Sequence, residues 1–203
     1  MVKRLFILIC VVVAFTFSTY ADEQGEKALV ELTHRLREMG DYESDITLRM
    51  QSDVIEGHYR ISGSDYHINM GSVELWGVGD KRYEVSHKIE EVVVERANKS
   101  ENTLLGNPSQ AFDLAEQGFN AELMQGSTGL ILRLTPRSDD GAKIDVDQIV
   151  IHLDFKTLLP TKILYQADNE SVEVEFGGIK KTKSSIEEFD ISKYRKYDIV
   201  DLY

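Results

Sequence analysis

Positive charge and cysteine are what this sequence is short of. Its 203 residues carry 23 Lys and Arg against 35 Asp and Glu, a formal net charge of −12. A surface that acidic repels nucleic-acid phosphates and anionic membranes, which excludes tight binding to DNA or RNA. The short basic run at Lys180, Lys181 and Lys183 has no interleaved aromatics and reads as a solvated loop. The single cysteine, Cys10, lies in an apolar stretch near the N-terminus, so the rest of the chain has no disulfide to brace it. Its core must hold by packing alone, and about 180 residues suffice for one compact domain of that kind. Linkers, internal repeats and low-complexity tracts are also missing, which leaves one domain over residues 22–203.

The first 21 residues differ from the remainder. Lys3 and Arg4 precede an apolar stretch from Leu5 to Phe17, and Thr19-Tyr20-Ala21 offers a small-residue exit. That order is expected of a cleaved secretory signal, residues 1–21, with cutting after Ala21. The apolar stretch is short of the about 20 residues of a transmembrane helix, although an uncleaved anchor is the alternative. Cys10 follows Ile9 within the apolar core, so no lipoprotein lipobox is present. Removal of the leader would take Lys3, Arg4 and Cys10 with it and leave an exported chain without lipid anchor or disulfide.

Behind the leader, Ala28, Leu29, Leu32, Leu36 and Met39 recur at helical spacing, with Glu31, Arg35 and Glu38 on the wet side. An amphipathic helix from Glu26 to Met39, stopped by Gly40, is expected. From Tyr42 the period becomes two. Ile46, Leu48 and Met50 alternate with Thr47 and Arg49; Ile55, Gly57, Tyr59 and Ile61 with Glu56, His58 and Arg60; Tyr66, Ile68 and Met70 with His67 and Asn69. Strands are expected again at Val73–Val78, Arg82–Ser86 and Glu91–Arg96, then at Ala121–Gln125, Leu130–Thr135, Gln148–Phe155, Thr161–Gln166 and Ser171–Gly177, with a last extended piece at Ile199–Leu202. Between the two sets, Asn107-Pro108-Ser109 suggests a helix start, and a short helix running to Gln117. About ten or eleven antiparallel strands with two helices describe a mainly β fold. A meander with one apolar face curls, and its concave side must be covered, which gives a half-open antiparallel barrel closed by a helical lid.

Chemistry-bearing motifs are sparse. His34, His58, His67, His87 and His152 lack the spacing of a local metal site, although His58 and His67 could face each other across a hairpin. No GxSxG elbow occurs, and Gly126-Ser127-Thr128-Gly129 reads as a hairpin turn. The acidic pairs Asp139-Asp140 and Glu187-Glu188 fall in loop-like contexts. No enzyme, metal or cofactor is suggested.

Several stretches taken in order do resemble something known: Gly57-His58-Tyr59-Arg60-Ile61, Gly79-Asp80-Lys81-Arg82-Tyr83-Glu84-Val85, Asn107-Pro108-Ser109-Gln110-Ala111-Phe112 with Gly118-Phe119, Thr157-Leu158-Leu159-Pro160, and the tail Phe189…Tyr194…Ile199-Val200-Asp201-Leu202. Over nearly the whole mature length the chain resembles the LolA-like family of periplasmic outer-membrane lipoprotein carriers. The resemblance implies an incomplete barrel closed by helices, a soluble periplasmic monomer, acylated lipoprotein cargo, an inner-membrane ABC transporter as donor and an outer-membrane acceptor. Two departures stand out. Gly63-Ser64 occupies the place of the Arg-Pro pair whose arginine helps latch the family's lid, and Tyr83 replaces the usual tryptophan, leaving Trp76 alone. A periplasmic lipid or envelope-stress sensor, or an adaptor with the same fold, is the second reading.

Cargo of that kind exposes several dozen methylenes, each costing about 0.8 kcal/mol in water. Alternation nominates the side chains that would shelter them. On the sheet these are Leu48, Met50, Tyr59, Ile61, Tyr66, Ile68, Met70, Tyr83, Val85, Leu132, Leu134, Ile151, Leu153, Ile163 and Tyr165; on the cover, Leu29, Leu32, Leu36, Met39 and Phe112. Plain core packing is the competing role for each of them.

Overall fold

The computed structural model describes residues 23–97, 109, 112, 118–137, 146–168 and 170–203. The expected leader with Cys10, the expected short helix at 107–117 apart from Ser109 and Phe112, and Asp139-Asp140 lie outside the described residues.

An α-helix, α1, covers residues 23–39. Leu29, Leu32 and Leu36 form its buried stripe, at 2%, 1% and 4% exposure, and its outer face carries ion pairs one turn apart such as Glu31–Arg35. Gly40 ends it at φ +68°, a left-handed position that suits glycine. The next residue begins the sheet. β1 is Asp41–Met50, β2 Asp53–Ser62, β3 Asp65–Met70, β4 Val73–Val78, β5 Lys81–Ser86 and β6 Glu91–Arg96. After residues 97–118 come β7 Phe119–Gln125, β8 Leu130–Pro136, β9 Gln148–Leu153, β10 Pro160–Ala167, β11 Glu170–Phe176, β12 Lys180–Lys181 and β13 Asp198–Asp201.

All thirteen join one sheet in the order β13-β6-β5-β4-β3-β2-β1-β11-β10-β9-β8-β7, with the two-residue β12 on β1. The sheet curls without closing: β7 and β13 are its two edges among the described residues. Hairpins link most neighbours, and β1 paired with β11 joins the two meanders. The half-open barrel with a helical cover is therefore the architecture, with three differences from expectation. β13 joins β6 in parallel. Lys180 and Lys181 are a short strand against Glu43 and Tyr42, not a loop. β9 stops at Leu153 because Asp154 turns the chain, its Oδ1 accepting the backbone N–H groups of Lys156 and Thr157.

α1 lies on the concave face so closely that Gly25 has no room for a side chain. A Cβ built there would sit 2.0 Å from the Ala121 carbonyl oxygen in β7. Replacing Gly25 with Ala should lift the first turn of α1 off the sheet and cost about 1–3 kcal/mol of stability in urea unfolding.

Candidate functional site

Registers assign every strand residue to one face. Tyr42, Ile46 and Leu48 of β1 face the concave side with Ile55, Tyr59 and Ile61 of β2, Tyr66, Ile68 and Met70 of β3, and Leu75 of β4. On the other wing, Val174 and Phe176, Ile163 and Tyr165, Ile149, Ile151 and Leu153, and Leu132 and Leu134 continue the same floor across β11, β10, β9 and β8. The leucine stripe of α1 seals it. All the nominated lining residues except Tyr83 and Val85 belong to this one cluster: Met39, Met50, Met70 and Tyr165 are partly buried and the rest fully so. Tyr42, Ile46, Val174 and Phe176 are also in it and follow the same alternation, so pattern alone could have found them. At the centre Tyr59 is fully buried, and its phenol is held well above its usual pKa by burial and by neighbouring Tyr42.

Space survives at both ends of α1. Near its C-terminal end a cavity of about 310 Å³ lies between Thr33, Leu36 and Arg37 of the helix, Ile61 of the sheet, Gly63-Ser64 of the following turn, and Phe112. Near its N-terminal end a groove of about 370 Å³ is lined by Ala28, Leu123, Leu130, Leu153 and Leu158, with Lys27 and Glu31 at its rim. Both fall at the small end of the range for ligand sites, roughly 300–1,000 Å³. Leu158 has φ +56°, rare for a branched residue, so this turn holds it against its preference. No local signal marked Thr33 in advance, and Leu158 stood out only within Thr157-Leu158-Leu159-Pro160, since the place of each depends on what the fold brings opposite it.

The apolar surface changes sides at β5. Arg82, Glu84 and Glu95 take the concave positions there, with Arg82 bonded to Glu95 and to Glu84. Tyr83 and Val85 face the convex side with Trp76, Val92 and Val94. The C-terminal segment crosses that patch, packing Phe189, Tyr194 and Tyr197 on it. Phe189 stacks on Tyr83 at 4.1 Å between ring centres and on Tyr194 at 5.3 Å. Beneath lies a polar hub. Glu74 Oε2 accepts from Trp76 Nε1 at 3.0 Å and lies 3.1 Å from His67 Nε2; its Oε1 is 2.7 Å from His87 Nε2, whose Nδ1 meets the Tyr197 hydroxyl at 3.0 Å. Burial opposes the Glu74 charge, but bonds from His87, Trp76 and His67 prevail and hold its pKa below the usual carboxylate range. His67 is depressed, its burial outweighing the attraction of Glu74. His58 and His67 share the convex face without facing each other: Asn69 is opposite His58, Arg60 is opposite His67, and His58 Nδ1 is 3.0 Å from Asp45. Among the described residues no group of three or more His, Cys, Asp or Glu is placed to hold a metal ion, and no helix is long and apolar enough to cross a membrane.

No protein-family model matches this sequence, and no curated protein does. Solved structures do. An uncharacterized conserved protein from Thermus thermophilus aligns over 84% of this chain and 97% of its own, with a TM-score of 0.53 and 8% identity. Lipoprotein LppX of Mycobacterium tuberculosis aligns over 82% and 100%, at 0.49 and 9%. A LolA superfamily protein from Nitrosomonas europaea aligns over 79% and 94%, at 0.42 and 7%. At such identities the likeness is one of fold alone.

The hub makes stability depend on acid in a defined sense. A histidine whose pKa is depressed in the folded state adds stability above its unfolded pKa, about 6.5, and that share is lost as pH falls below it. Glu74, depressed in turn, contributes above about 4.5 and loses its share in stronger acid. Urea unfolding should therefore show a stability decline beginning near pH 6.5, and His67→Asn should flatten its upper part; an unchanged profile in that variant would assign the decline to other groups.

Proposed function

We propose that this chain is a periplasmic carrier that shelters the acyl chains of lipoproteins between α1 and the concave face of the sheet. It would take them from an inner-membrane ABC transporter and pass them to an outer-membrane acceptor. One observation carries this reading: among the described residues a continuous apolar floor spanning nine strands is covered by the leucine stripe of α1, with the partly buried Met39, and by Phe112. Along the chain, α1 passes directly into β1 through Gly40. The resemblance of the sequence to LolA-like carriers supports the same conclusion, as does the secretory leader expected at residues 1–21.

Energetics favour a carrier that is shut when empty. Its apolar surfaces are already out of water, so cargo contributes its own desolvation, about 0.8 kcal/mol per methylene, minus the packing lost as the lid spreads. Binding is then strong enough to hold the chains and weak enough to surrender them. Delipidated full-length protein should take up a fluorescent long-chain fatty-acyl probe, and gently extracted protein should bring acylated molecules into the mass spectrometer. Crosslinked pull-downs should recover lipoproteins; a signalling protein recovered without lipid would assign the sensor role instead. Leu32→Ala should lower the stability of the empty protein by about 2–5 kcal/mol while accelerating probe uptake, because it weakens the closed lid more than the loaded one. Failure of the native protein to bind any acyl probe would end the carrier reading.

A further inference from the structure

Resting on that carrier reading, we propose that the Thr33 hydroxyl is the catch of the lid, bonded to the Phe112 carbonyl when the site is empty and to the carbonyl of an acyl ester or amide when cargo enters. Thr33 sits in the buried stripe of α1, next to Leu32 and one turn from Leu29 and Leu36, at 8% exposure. Among the described residues the only other buried polar side chain is Ser44. Ser44 satisfies itself on the carbonyl of its neighbour Asp45. Thr33 instead reaches across 79 residues of sequence, its Oγ1 donating to the Phe112 carbonyl at 2.7 Å. A leucine or alanine there would favour the helix more and bury no polar group. The hydroxyl adds direction: its bond to Phe112 fits one seating of α1. Phe112 is itself anchored, its ring buried and tilted against Phe176 at 6.3 Å.

The catch is weak by construction. A buried neutral hydrogen bond is worth little net, because water replaces it when it breaks. A helical threonine also has a fallback, the carbonyl one turn behind it on its own helix. The lid can therefore lift without stranding the Thr33 donor. The 310 Å³ cavity beside the bond is lined by both partners, Thr33 and Phe112, with Leu36 and Ile61 on the apolar side and Ser64 on the polar side. A lipid whose carbonyl enters there meets the hydroxyl that holds the lid. Taking that bond unfastens Phe112 from α1, so cargo bearing an acyl carbonyl opens its own site, whereas plain hydrocarbon does not.

Two measurements on the full-length protein test this. The first needs no lipid: hydrogen exchange of the α1 amides in native protein, Thr33→Val and Thr33→Ser. Valine keeps the shape without the donor and should speed exchange about tenfold, while serine should restore native rates. Equal rates in the native and valine proteins would overturn the catch. The second is displacement of the fatty-acyl probe by monopalmitin and by its ether analogue, hexadecyl glyceryl ether, which lacks the carbonyl. Native protein should prefer the ester about fivefold, and Thr33→Val should bind the two alike. The same preference in both proteins would overturn the carbonyl exchange. If neither lipid displaces the probe from either protein, the carrier reading falls and the carbonyl exchange with it, while the amide rates still decide the catch.

Discussion

The seating of three leucines on a curved sheet is the contact on which the rest of this structure depends. Leu29, Leu32 and Leu36 remove from water both themselves and the floor beneath them. At about 1.5–3 kcal/mol for each large apolar side chain, the stripe contributes about 5–9 kcal/mol, comparable with the whole net stability of an ordinary domain. Without α1 much of that floor would lose its cover, leaving a larger apolar patch than soluble monomers ordinarily expose. Covering that face is obligatory, and α1 does so while passing into the sheet through Gly40.

The convex side answers a different requirement. Most of it is a lattice of opposite charges, such as Arg49 and Lys162 between Glu173 and Glu175. Exposed pairs like these contribute little stability, but they keep the outer face wet and set the register of β1, β10 and β11. At β4–β6 the logic inverts, and the C-terminal segment pays the cost of the exposed patch by folding across it. The inversion divides labour. Acidic and basic side chains of β5 and β6 end the concave apolar floor at that wing, while the aromatic clasp steadies the edge of the sheet by adding β13. Parallel pairing of four residues is a modest gain, so most of the hold comes from Phe189, Tyr194 and Tyr197.

Much of this was legible in the chain. The 3.6-residue period of Leu29, Leu32 and Leu36 and the two-residue period from Ile46 onward are local signals, and they located α1 and nearly every hairpin strand. The same alternation places Tyr83 and Val85 on a common face with each other, but it is silent on which face that is. Only pairing with Trp76 and Val92 settles it, and those partners depend on hairpin register. The parallel edge strand was illegible for a related reason: Ile199 and Val200 show extension, not partnership. Glu74 looked like any strand glutamate because its two histidines come from other elements. Thr33 was invisible in a stronger sense, since a threonine in a helical stripe ordinarily means a tolerated substitution, and its partner is a backbone carbonyl that carries no sequence signature.

That asymmetry bears on what holds α1 in one position. Apolar contacts supply strength but little direction, because a leucine slid along a greasy floor loses almost nothing until it meets water. Hydrogen bonds supply direction but little net strength, because water competes for them. A cover built from leucines alone would be stable and poorly registered; one built from polar contacts would be registered and unstable beside an apolar cargo. Here the leucine stripe supplies the strength, while the close approach of Gly25 to β7, the bond from Thr33 to Phe112 and the polar ties of Arg35 to the Thr157 carbonyl and of Glu26 to Arg137 select one seated position. The elements that decide position are the inexpensive ones to break. On the proposed carrier reading, opening would begin at these contacts, before the leucine contacts have to give way.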